Sequence, residues 1–245
     1  MFLDKRLIIF DLDGTLIDSL GVWSQVDQEL LRELSDGRVV VSEEEACRLR
    51  VEALGRYGEG TDAYYKYMAD LKAKYDLPGT PEEIHTRRYE LARVFLRDRV
   101  DYREGAPEVI RALHAAGVKL AIATTTRRRN IDVYGTTNRH LLAKAPLHDF
   151  FEMIVTRNDV EHVKPDPEAL QLILAHFGLK PEDCLMVEDA RPGIEAARAI
   201  GMDAVIITER HNEEPRETID PLVRGRFENH FELLAAIRAE AAAKA

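Results

Sequence analysis

The stretch Leu7-Ile8-Ile9-Phe10-Asp11-Leu12-Asp13-Gly14-Thr15 decides how the rest of the 245-residue chain is read. Four consecutive large apolar residues fit a strand buried on both faces, as in a parallel sheet covered by helices. The run then stops at two acids, a glycine and a threonine. Ligands of open α/β sheets bind beyond the C-terminal ends of the strands, so Asp11 and Asp13 are candidate site residues. Two like unit charges ~4 Å apart cost about 4 kcal/mol at an effective dielectric of ~20, or roughly three pKa units. Such a pair needs a cation, a shared proton or diverging side chains. The plain alternative is an aspartate that caps a helix or a turn.

Three similar units follow: 118–123 (VKLAIA), 184–187 (CLMV) and 204–207 (AVII). Each comes after a helix-like stretch that opens near a proline (Pro107, Pro167, Pro192) and closes at a glycine (Gly117, Gly178, Gly201), the usual polarity of helix punctuation. A weaker strand candidate covers 151–155. Strands alternating with helices predict an α/β fold, a parallel sheet with helices on both faces.

Residues 19–100 read differently, as helices alone. Val22, Trp23, Val26, Leu30 and Leu34 share one face at helical spacing. Ser42 and Glu45 form a capping box before a helix carrying Leu49, Ala53 and Leu54, with Gly55 as its stop. Thr61 is read as the cap of a third helix with Tyr64, Tyr67, Met68, Leu71 and Tyr75 on one face. Thr80-Pro81-Glu82-Glu83 opens a fourth. The expected organisation is therefore a core from 1–18 and 101–245 with an inserted α-helical cap domain at 19–100. The tail 238–245 (RAEAAAKA) is helix-prone, has little to bury and is expected to fray.

Further candidates fall at the same sheet edge. Glu188 and Asp189 end the CLMV strand, so carboxylates from two parallel strands can converge on a hard cation. Mg²⁺ prefers oxygen ligands and pairs with substrate phosphate. Thr124, Thr125 and Thr126 end the VKLAIA strand, where hydroxyls and backbone N–H groups can hold phosphate oxygens. Lys164 precedes Pro165 before a helix start, placed to neutralise a carboxylate and an incoming phosphate.

Composition narrows the classes. Lys and Arg number 34 against 44 Asp and Glu, a net charge of −10, which argues against a nucleic-acid binder. No apolar run reaches the ~18–20 residues of a membrane span, and the N-terminal apolar stretch is too short for a signal peptide. Cys47 and Cys184 make no disulfide framework, so a cytoplasmic setting is expected.

Taken together, DLDGT at Asp11, the strand ending at Thr124, Lys164 before Pro165 and the Glu188-Asp189 pair resemble the four motifs of the haloacid dehalogenase (HAD) superfamily. The resemblance runs from Phe10 to about Met202. It implies a Mg²⁺-dependent phosphatase acting on a small phosphorylated metabolite, with Asp11 as nucleophile and Asp13 as general acid and base, entering the cycle protonated. It also implies metal ligation by Asp11, the Asp13 carbonyl and Asp189 with Glu188 close by, and phosphate binding by Thr124, Thr125 and Lys164. Asp13 argues against the dehalogenases and phosphonate hydrolases of the superfamily, which lack that acid. The alternatives are a phosphomutase of the β-phosphoglucomutase type, whose members carry a histidine where this chain has Trp23, and a non-catalytic binding protein on the same fold.

Substrate choice is expected to lie in the inserted helices. Arg88 shares a stripe with Ile84, Leu91 and Phe95; it faces an anion or a buried partner, or, in the preferred reading, lays its stem on apolar surface with its head in water. His85 is read as solvated, and Tyr57, Tyr64, Tyr65 and Tyr67 as packing. Arg127, Arg128 and Arg129 either raise the local potential or form a solvated helix start. The stretch 127–150 is longer than in related phosphatases and broken by Gly135 and Pro146, a candidate substrate-contacting or dimer-forming loop.

Overall fold

The computed structural model describes residues 1–58, 60–210 and 215–244. After strand β1 (Leu7–Phe10) come helices α1 (Val22–Leu34), α2 (Glu43–Tyr57), α3 (Thr61–Tyr75) and α4 (Pro81–Asp98). The chain then runs α5 (Ala106–Ala115), β2 (Lys119–Ala123), α6 (Arg128–Thr136), α7 (Arg139–Lys144), α8 (Leu147–Phe150) and β3 (Met153–Val155). It ends with α9 (Glu168–Phe177), β4 (Cys184–Glu188), α10 (Arg191–Ala199), β5 (Asp203–Ile207), α11 (Arg216–Ile219), β6 (Arg226–Phe227) and α12 (His230–Lys244). Two compact units result, Met1–Asp18 with Val100–Ala245, and Ser19–Arg99.

The first unit is a six-stranded sheet in the order β3-β2-β1-β4-β5-β6, with every pairing parallel. It is an α/β, Rossmann-like fold. All four residues of β1 are fully buried, because the strand sits inside the sheet and helices cover it. Phe10 lies opposite Ile122 of β2 and Val187 of β4. Parallel pairing in this register brings the residues after Phe10, Ala123 and Val187 to one edge. From β1 the chain builds β2 and β3 to one side, then crosses back to place β4 on the other side of β1, the switch point where such sheets bind ligands. One apolar cluster joins Leu7 and Ile9 to Ala121, Met186, Ile173 of α9 and Ile194 of α10. Strand β6 was not legible in the sequence, since two half-buried edge residues make no apolar run.

Two helix ends in the second unit differ from expectation. Helix α2 runs through Gly55 and stops at Gly58, whose φ is +78°; a glycine costs a helix only about 1 kcal/mol, whereas Gly58 supplies the left-handed turn. Helix α3 takes Gly60 as its cap, and Thr61 is already helical. At α2 the Ser42 hydroxyl accepts from the Glu45 N–H at 3.1 Å. The capping box at Thr80 and Glu83 is complete.

Arg88 departs most from the preferred reading: it is completely buried. Its Nε donates to Asp27 Oδ1 at 2.5 Å, while Arg50 and the Tyr67 hydroxyl donate to Oδ2 at 2.7 and 3.3 Å. The guanidinium lies 5.0 and 5.1 Å from the Trp23 and Tyr64 ring centroids, so ring quadrupoles and a buried carboxylate replace water around it. His85 is likewise not solvated, but half-buried with its ring 4.9 Å from Tyr65 and 4.7 Å from Tyr89.

The tail is helical and mostly exposed, as read, but it is anchored by polar contacts. Helix α12 continues to Lys244. The Glu240 carboxylate accepts the N–H groups of Phe2 and Leu3, and Lys244 donates to the Leu3 carbonyl and to Asp4. The stretch 127–150 is broken as its Gly and Pro suggested, into α6, α7 and α8. Asn138 caps α7 and donates to the Val100 carbonyl at 2.8 Å, and the Tyr102 hydroxyl donates to the Ala145 carbonyl.

Candidate active site

The backbone carries β1 one residue beyond its last rung, since the Asp11 N–H donates to the Val187 carbonyl at 2.9 Å. Asp11 is thereby fixed beside the end of β4. Gly14, with φ of +87°, then reverses the chain, its N–H donating to the Ile17 carbonyl. Glycine takes this conformation without a Cβ penalty.

Lys164 Nζ donates to Asp11 Oδ1 at 2.6 Å and to Glu188 Oε1 at 2.7 Å. All three side chains are nearly excluded from solvent. Burial pushes the Asp11 carboxyl well above its ordinary range and the neighbouring Glu188 and Asp189 charges add to this, with Lys164 opposing. Burial alone would lower Lys164, but the Asp11 and Glu188 carboxylates outweigh it and hold the ammonium charged above its usual range. The remaining Glu188 oxygen accepts the N–H groups of Asp189 and Ala190 at 2.9 and 3.0 Å. Asp189 Oδ1 accepts the Thr15 hydroxyl at 2.6 Å.

Asp11, Glu188 and Asp189 each offer a carboxylate oxygen, all within 4.8 Å of one another. Lys164 supplies one positive charge to these three buried carboxylates. An all-oxygen, acid-rich cluster of this kind suits a hard divalent cation. The Asp13 carboxylate takes different partners: the Thr126 hydroxyl at 2.5 Å and the Thr124 hydroxyl at 3.4 Å. Asp11 and Asp13 are thus drawn apart. Thr124 is buried, and its N–H donates to the Val155 carbonyl; Thr125 is exposed at the same edge.

Every residue expected at the site therefore gathers at one edge of the sheet. Three more belong with them. Thr126 and Thr15 hold Asp13 and Asp189; the sequence marked Thr126 as able to hold phosphate, not as a partner of Asp13, and Thr15 only as the end of DLDGT. Gly193 on α10 leaves room for Glu188: a Cβ there would lie 1.8 Å from Glu188 Oε1. Of the arginine run, Arg128 pairs with Asp159 at 2.6 Å and donates to the Ile154 carbonyl.

This fold with this acidic edge defines a class, and comparison with known proteins places the chain in it. Residues 5–201 match the model of the haloacid dehalogenase-like hydrolases. The chain belongs to that family. Protein CbbY of Rhodobacter capsulatus is 31% identical over 213 residues, 83% of this chain and 86% of that protein. Phosphoglycolate phosphatase of Salmonella typhimurium is 29% identical over 216 residues, 84% and 82% of the respective lengths. A HAD family hydrolase from Deinococcus radiodurans, solved with bound phosphate and sodium, superposes with a TM-score of 0.69 at 26% identity, covering 98% of this chain and 97% of that one.

Proposed function

We propose that this HAD-type phosphoric monoester hydrolase is a Mg²⁺-dependent phosphatase that cleaves a small phosphorylated metabolite through an aspartyl-phosphate. The observation that carries the reading is the buried Asp11–Lys164–Glu188 bridge, with Asp189 completing an acidic cluster. A nucleophile ready for an anionic substrate needs its charge met by fixed cations, and this arrangement supplies one and invites another.

Asp11, Asp189 and Glu188 are the residues that would hold the metal. Bound there, Mg²⁺ supplies charge neutralisation and polarisation of the phosphoryl oxygens. An Asp11 carboxylate oxygen attacks phosphorus, forming an O–P bond as the ester O–P bond breaks. Asp13 gives its proton to the leaving alkoxide, which departs as the alcohol. Asp13 then takes a proton from water, whose oxygen attacks the same phosphorus and frees Asp11 and orthophosphate. Thr124, the Thr125 N–H and Lys164 bind the phosphoryl oxygens and spread their charge.

The helical unit is read as a cap that selects the substrate. Phosphoglycolate and sugar phosphates are the first compounds to try, given the names of the relatives. A cytoplasmic setting fits the two free cysteines, and no helix among the described residues is long and apolar enough to cross a membrane. The test is Mg²⁺-dependent phosphate release from p-nitrophenyl phosphate, with Asp11→Asn and Asp13→Asn beside the wild type. Loss of ~10²–10⁴-fold in kcat for Asp13→Asn, and of all turnover for Asp11→Asn, is expected. A wild-type protein inert on every ester tried leaves the binding-protein alternative standing instead.

A further inference from the structure

Arg103 belongs to none of the motifs, yet it grips the turn that carries them. Its Nη1 donates to the Gly14 carbonyl at 2.5 Å and its Nη2 to the Thr208 carbonyl at 2.7 Å. Its backbone N–H donates to the Leu16 carbonyl at 2.9 Å. Gly14 follows Asp13 directly, and Thr208 follows β5. Strand β4, which ends at Glu188, lies between β1 and β5 in the sheet. One side chain thus ties the turn after β1 to the loop after β5, across the end of the strand that runs out into two of the three clustered acids, Glu188 and Asp189.

The same turn is held again one residue on. The ring of His230, at the start of α12, lies beside the Thr15 backbone. The Thr15 hydroxyl meanwhile holds Asp189. His230 is buried, and Gly105 packs so tightly against it that an added Cβ would lie 3.0 Å from the His230 Cβ.

We propose that Arg103 is a positioning residue for the reaction: by spanning the Gly14 and Thr208 carbonyls, it fixes the Gly14–Thr15 peptide, the one that follows Asp13–Gly14 in the turn, and so the angle at which Asp13 meets the leaving oxygen. The planar fork of a guanidinium can serve two carbonyls at once, whereas a lysine ammonium is a single point on a flexible stem. Misplacing a reacting group by about 1 Å costs on the order of 10²-fold in rate. The fork therefore bears on kcat more than on substrate binding. This proposal rests on Asp13 serving as the acid and base, as set out above.

The test uses the full chain as Arg103→Lys, Arg103→Gln and Arg103→Ala. Three things are measured: kcat and KM on p-nitrophenyl phosphate with Mg²⁺, amide hydrogen exchange in peptides covering 11–18 and 119–123, and rescue of Arg103→Ala by added methylguanidinium. Arg103 is only partly buried, so a small cation can enter. We expect kcat to fall about tenfold or more in each variant while KM changes less than about threefold, the signature of an interaction used in the transition state. Exchange should quicken in 11–18 and stay slow in 119–123, and methylguanidinium should restore part of kcat. Unchanged exchange in 11–18 overturns the grip itself. An unchanged kcat, or exchange quickened equally in both peptides with no rescue, overturns the positioning role. If the wild type turns over no ester, the proposed function falls and the catalytic half of this proposal with it, while the exchange result still decides whether Arg103 holds the turn.

Discussion

The Lys164 ammonium stands between Asp11 and Glu188, 2.6 Å from one carboxylate and 2.7 Å from the other. It comes from the segment before α9, whereas its partners end β1 and β4, so three separate stretches of chain share one buried charge balance. Removing one member of such a set strands the others.

Lys164→Met should therefore lower the stability of the metal-free protein by about 3–5 kcal/mol, read by urea unfolding at neutral pH. The deficit should shrink on acidification. The Asp11 carboxyl is held above its ordinary range, burial being the main cause; its favourable contribution is complete below the unfolded value and is lost as pH rises through the folded one. At low pH Asp11 is neutral and needs Lys164 less. An equal deficit at pH 5 and pH 8 would count against this charge balance.

Gly193→Ala should disable the site without touching any charged group. The new Cβ would fall 1.8 Å from Glu188 Oε1 and 2.3 Å from its Cδ, so Glu188 must leave Lys164 and the amides of Asp189 and Ala190. Disturbing groups that orient metal ligands costs ~10–100-fold in metal affinity. The concentration of Mg²⁺ needed for half-maximal activity should rise by that factor, and wild-type metal dependence in this variant would contradict the geometry.

Thr126→Val removes the 2.5 Å hydroxyl donor from Asp13. A hydrogen bond of this kind contributes about 0.5–1.5 kcal/mol, so kcat should fall roughly two- to tenfold, with Thr126→Ser retaining most of it. Steady-state kinetics of the pair settles the matter, and equal rates for Val and Ser would remove Thr126 from the site.

Within the helical unit, Asp27→Asn should destabilise by about 3–5 kcal/mol, because it leaves Arg88 buried and without its carboxylate. Arg88→Met combined with Asp27→Leu should recover much of that loss, as apolar replacement of a buried pair often does. Urea unfolding of the three proteins gives the coupling; a double variant no better than Asp27→Asn would contradict it.

His230 provides a pH test. Burial, aided by the Arg103 charge, depresses its pKa to about 3. The unfolded chain binds this proton near 6.5 and the folded chain only near 3, so the stability contribution is complete above about 6.5 and is lost as pH falls toward 3. Each pH unit in that window changes stability by about 1.4 kcal/mol for one proton. Between pH 6.5 and 5, wild type should lose about 2 kcal/mol more than His230→Gln, as urea unfolding at the two pH values will show.

Much of this was legible along the chain. Apolar runs such as Leu7–Phe10 and their glycine-closed helices specify parallel strands, because a strand covered on both faces has no polar side to display. The acidic motif positions Asp11, Glu188 and Asp189 were legible for a related reason, since each ends or follows an apolar run at a strand end, whereas Lys164 was marked by Pro165 before a helix start. Arg88 and His85 were misread because helical periodicity tells which side is inward, but not which carboxylate or ring waits there. Asp27 lies 61 residues from Arg88 in sequence, and nothing local announces the pair. The anchoring of α12 to the N-terminal segment through Glu240 was hidden in the same way, the partners being 238 positions apart.

The sequence by itself determined most of the strand and helix pattern, the position of the helical insertion and which acids, lysine and threonines are candidates at the strand ends, since each depends on local chemistry. Only the tertiary structure decided how charge is balanced. Lys164 faces Asp11 and Glu188, Thr126 faces Asp13, Arg103 faces Gly14 and Thr208, and Arg88 faces Asp27. Those pairings follow from parallel register and helix packing, which bring distant residues within about 3 Å, where desolvated charges and dipoles act strongly on one another.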